Sequence, residues 1–140
     1  MPLKQRYDGY NKYQVSIRAG TAALEGPLLA AAAGAAADWP AAAEAELVRA
    51  LRRGVLLGNA LLISANYGTS NEALVARFYV NEAYYALTAL AAARRAGGAA
   101  PAAAEAWRLA RDSWNSYLAV INRAIVPKVG QRFQPVPAGL

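Results

Sequence analysis

The sequence predicts an all-α fold: an up-down-up-down antiparallel four-helix bundle over residues 12–126, with an extended N-terminal arm at 1–11 and an extended C-terminal tail at 127–140. Three observations carry this. Alanine makes up about a quarter of the chain, and with Leu, Arg and Glu it favours helix over strand. Glycine and proline cut the chain into four long segments joined by short connections, each about 40 Å long at a helical rise of about 1.5 Å per residue. The last segment, Ala102 to Val126, is strongly periodic. Trp107, Ala110, Trp114, Tyr117, Leu118, Ile121 and Ile125 share one side of a helix, and Arg108, Asp112, Ser116 and Arg123 share the other. Such a stripe cannot stay in water, so the other three helices must cover it.

Residues 1 to 11 are polar and aromatic, with Pro2, Gly9 and Asn11, and read as the arm. From Lys12 to about Ala33, Tyr13, Ile17, Leu24, Leu28 and Ala31 fall on one helical face, with Tyr10 extending the line. Pro27 removes a backbone donor and is expected to kink or divide this helix near Glu25; Gly34 stops it. Asp38, Trp39 and Pro40 form a start signal, with the Asp38 carboxylate as cap. The second helix then runs from about Trp39 to Asn66, its core face made by Leu47, Leu51, Val55, Gly58, Leu62 and Ala65. Opposite them lie Leu56, Ala60, Ile63 and Tyr67, with Leu57 and Leu61 on a flank, so this helix is either buried all round or carries a docking patch. Thr69 to Glu72 has the form of a capping box for a third helix, Ser70 to Ala96, carrying Leu74, Phe78, Val80, Tyr84, Tyr85, Leu87 and Leu90. Asn81 and Thr88 share a side with Tyr84 and Tyr85 and are expected to fix register by buried hydrogen bonds, with a ligand pocket as the lesser alternative. Gly97 and Gly98 end that helix, Pro101 begins the fourth, and Pro127 closes it.

Composition excludes several chemistries. The chain has no cysteine and no histidine, which removes disulfides, thiol and His-based catalysis, and the usual zinc, haem and Glu-x-x-His di-iron ligand sets. No phosphate-binding glycine motif occurs, and Ser64, Ser113 and Ser116 have no base to activate them. The predicted catalytic, cofactor and metal sites are therefore none. No stretch of about 20 apolar residues is free of charge, so no membrane span is expected. The net charge of +6 suits an anionic partner, such as nucleic acid, an acidic protein face or a lipid headgroup surface, and equally a solvated basic surface. Tyr7, Tyr10 and Tyr13 interleave with Lys4, Arg6 and Lys12 as a basic aromatic surface would, yet the remaining arginines are dispersed over different helices, so nucleic acid is the lesser expectation.

A tyrosine-rich approach to the first helix, the Asp38–Trp39 step into the second, Arg49, Arg52 and Arg53 in its middle, and an Asn- and Tyr-bearing last helix before an extended segment resemble the Q-type (PsbQ-like) extrinsic subunits of algal and plant photosystems. The resemblance implies a non-enzymatic protein of the thylakoid lumen, peripheral to the membrane. It would bind a photosystem core, photosystem II before photosystem I, with its neighbouring extrinsic subunits, and support assembly or stability. The residues expected to meet that partner are Leu56, Ile63 and Tyr67 on the second helix, and Lys128, Arg132, Phe133, Pro135 and Val136 in the tail. The alternative is a soluble basic helical adaptor or nucleic-acid-binding bundle.

Overall fold

The computed structural model describes residues 3–63, 68, 70–97 and 100–140, and among them there are four helical rods and no strand. The first rod starts with α1 (Leu3–Ala23), passes through a π-helical segment (Leu24–Leu28), and ends in α2 (Leu29–Ala32). The others are α3 (Ala41–Leu61), α4 (Asn71–Arg95) and α5 (Ala100–Asn122). The extended arm expected over residues 1–11 is instead helical from Leu3, because tertiary packing overrides the local breakers: Gly9 sits against Ala60 of α3, where a Cβ would come within 2.8 Å of the alanine's. Tyr10 is buried in the core.

Pro27 acts where it was expected to. The rod changes from α to π form over Leu24–Leu28, which accommodates a residue that has no N–H to donate. Gly34, with φ of 75°, closes α2, and the Ala35 N–H reaches back to the Ala30 carbonyl at 2.9 Å. The start of α3 departs from expectation: Pro40 is its N-cap, no side chain caps it, and the Asp38 carboxylate lies too far upstream to serve. Ser70 caps α4, its hydroxyl accepting from the Ala73 N–H at 3.0 Å, with Glu72 in the first turn; Thr69, the first residue of the expected capping box, lies outside the described residues, as do Ala65, Asn66 and Gly98.

Helices pack in two closely apposed pairs, the first rod with α3 and α4 with α5, and the pairs then face each other. Small residues stand at several contacts. Gly20 lies so close to Ala50 that a Cβ on it would collide, Ala76 of α4 lies toward Gly58 of α3, and Ala73, Ala83, Ala103, Ala106 and Ala110 of α4 and α5 are buried. Between the pairs the filling is large: Trp107, Trp114, Tyr117, Leu118 and Ile121 of α5, none more than 1 % exposed, meet Ile17, Leu24, Leu28, Leu47 and Leu57. The stripe foreseen on α5 is thus the core, and each of its large side chains contributes about 1.5–3 kcal/mol by leaving water.

After α5 the chain turns at Val126 to Gly130 and comes back along the bundle as a tail without helix or strand. Asn122 and Asn115, seven positions apart on α5, each hold one tail residue by both main-chain groups. The Asn122 amide donates to the Phe133 carbonyl and its oxygen accepts from the Phe133 N–H, both at 2.9 Å. Asn115 does the same to Val136, at 2.9 and 2.7 Å. The Tyr10 hydroxyl donates to the Gln131 carbonyl (2.7 Å) and accepts from the Gln131 N–H (3.1 Å) and from Arg18 (2.9 Å).

Candidate functional site

Interior polar groups are consumed in holding the pairs together. The Trp107 indole N–H donates to the Leu24 carbonyl at 2.9 Å, inside the π-helical segment that Pro27 leaves short of a donor. Trp114 donates to Thr21 Oγ1 at 2.9 Å, and the Tyr117 hydroxyl donates to the Gly54 carbonyl at 2.6 Å. Burial pushes the Tyr117 hydroxyl above its ordinary pKa, since the phenolate would be stripped of water. Ser16, buried on α1, accepts from Arg53 of α3 at 2.6 Å. Among the described residues no group of His, Cys, Asp or Glu is placed to hold a metal ion.

Two surface clefts bear on function. One lies under the returning tail and is lined by Ile125, Pro127, Gly130, Gln131, Arg132 and Gln134. The other, at the end of the bundle where Ala37 to Trp39 meets α4, is lined by Asp38, Trp39, Glu44, Arg94 and Arg95; there Arg94 donates to the Ala36 carbonyl at 2.9 Å. The residues lining these two clefts include no hydroxyl nucleophile next to a base, so what they offer is charge and shape.

The residues expected to meet a partner separate into groups. Leu56, Lys128, Arg132 and Pro135 are exposed, Ile63 is half-buried, and Tyr67 lies outside the described residues. Phe133 and Val136 correct the expectation that the tail fills a partner's groove: both are buried in this chain's own. The Phe133 ring stacks on Tyr10 with centroids 5.5 Å apart, and the Arg18 guanidinium sits 4.6 Å over it. On α3, Leu57 and Leu61 are in the core and Ala60 faces Gly9, which leaves Leu56 standing out beside Arg49 and Arg52. Tyr7, Tyr10 and Tyr13 do not form one surface, since Tyr7 is exposed, Tyr13 half-buried and Tyr10 internal.

The outer face that sequence reading missed is on α4. Leu74, Phe78, Asn81, Tyr85 and Thr88 are all exposed, the Phe78 side of the helix by half and Tyr85 by 71 %. Their spacing alternates four and three residues, the pattern of a helix-packing seam, and the seam is diametrically opposite the buried Ala76, Ala83 and Leu90. The expected buried hydrogen bonds of Asn81 and Thr88 are therefore absent from the core. Asn81 is exposed, and the Thr88 hydroxyl donates along its own helix to the Tyr84 carbonyl at 3.1 Å. The 4-3 spacing was visible in the sequence and could have been found, had the alanines been recognised as the inward side. Among the described residues no helix is long and apolar enough to cross a membrane. No family model, no curated protein and no solved structure matches this chain.

Proposed function

We propose that this chain is a non-catalytic subunit of a larger assembly, an up-down-up-down bundle that works through the outsides of its helices. The observation that carries the reading is the α4 seam, where Leu74, Phe78 and Tyr85 stand in solvent on a helix whose other side is fully packed. A row of exposed large apolar side chains of this kind is a surface for association. The family resemblance supplies the host, a photosystem core met on its lumenal side, and supports a role in assembly or stability. The charge of +6 favours an acidic docking surface on that host, with Arg49, Arg52 and Leu56 of α3 and Lys128 and Arg132 of the tail as the complementary residues.

Mild-detergent native separation of membranes from the source cell, with mass spectrometry locating the chain among the complexes, tests this. Co-migration with photosystem cores, release by a salt wash, and loss of co-migration in Phe78→Glu are the expected results. A chain that migrates alone, or with nucleic acid, overturns the host and returns the basic adaptor in its place.

A further inference from the structure

Resting on the reading of α4 as an association face, we infer that its occupant is a second copy of this chain, packed parallel and in register, α4 against α4. The seam is self-complementary in that orientation. In-register packing sets Leu74 on Leu74, Phe78 on Phe78 and Tyr85 on Tyr85, and it sets Asn81 on Asn81, where two amides satisfy each other. In an antiparallel pairing at either seam register Asn81 faces an aromatic ring, Phe78 or Tyr85, with its amide unpaired. The flanks point the same way. Arg77 borders the seam on one side and Glu82 on the other, five positions on, which is the spacing at which facing residues of two parallel helices meet across a seam. Among the described residues neither makes an ion pair within its own chain. The dimer forms two Arg77–Glu82 pairs, one on each side of the two-fold axis. Carrying one charge of each sign, the seam matches itself better than it matches a uniformly acidic surface.

Sedimentation of the purified chain across a concentration series is the first test, and twice the monomer mass is expected. Phe78→Glu should weaken the dimer about a hundredfold by placing two carboxylates in the seam. Arg77→Glu and Glu82→Arg should each weaken it about tenfold, and the double variant should restore it. Because the chain has no cysteine, Thr88→Cys gives a single thiol that oxidises to a covalent dimer only when the helices run parallel. Circular dichroism confirms that each variant keeps its helices. A chain that is monomeric throughout overturns the second copy. The association reading then stands if Phe78→Glu still loses co-migration with the host, and falls with it if co-migration is unchanged. A dimer without charge-swap rescue or without the Thr88→Cys crosslink overturns the parallel register.

Discussion

Two stripes of aromatic and aliphatic side chains run along neighbouring helices of this molecule, and only one is covered. On α5, Trp107, Trp114 and Tyr117 are fully buried, and each polar tip finds an acceptor on the opposite helical pair. On α4, Leu74, Phe78 and Tyr85 follow the same kind of spacing and lie in solvent. The difference lies in which residues each helix turns inward. α4 buries Val80, Leu87 and Leu90 together with Ala76, Ala83 and Ala86, while its aromatic residues Phe78, Tyr84 and Tyr85 stand on the far side, each at least half exposed. A helix can therefore be strongly apolar and still turn its larger side chains outward.

The comparison can be broken hardest on the covered side. Trp107→Ala removes a fully buried indole and leaves the Leu24 carbonyl without its donor; a loss of about 3–5 kcal/mol is expected by chemical denaturation. Asn122→Ala strips both main-chain groups of Phe133 of their partners, at a cost of about 1–3 kcal/mol, and hydrogen exchange at the Phe133 amide should rise without loss of helix. Tyr117→Phe keeps the ring and gives up the bond to Gly54, for about 1 kcal/mol. It also tests a pH effect. Burial holds the folded-state pKa of Tyr117 above its ordinary value of 10.0. Its contribution to stability is thus complete below about pH 10 and is lost as pH rises further, where the unfolded chain ionises and the folded chain does not. Wild type should lose stability above pH 10 more steeply than Tyr117→Phe. The smallest effect belongs to the uncovered side: Phe78→Ser should change monomer stability by no more than about 0.5 kcal/mol while reducing association.

Most of the α5 core was legible in the sequence because its large residues and its buried face coincide. Ile17, Leu24, Leu28, Leu47 and Leu51 were legible for the same reason. On α4 the large residues named from the sequence fall into two groups that it did not separate: Val80, Leu87 and Leu90 are buried, and Leu74, Phe78, Tyr84 and Tyr85 are exposed. The start of α1 was hidden by Gly9, which marks a close approach to Ala60 and not a break in the helix. Features set by backbone chemistry, the change of helical form at Pro27 and the helix ends at Gly34 and Gly97, were readable locally. The tail was readable only as lacking helix. Its docking depends on Asn115, Asn122 and Tyr10, and nothing local to residues 127–140 announces them.

Asn115 and Asn122 grip main chain, while the side chains of Gln134, Pro135 and Pro137 point to solvent. The strap is thus held without being read. Those three positions are free to drift in evolution, or to be rewritten by design, while the path of the backbone over the bundle stays the same. The molecule carries a short stretch of editable surface at a fixed address, anchored at Phe133 and Val136 and insulated from the core beneath it.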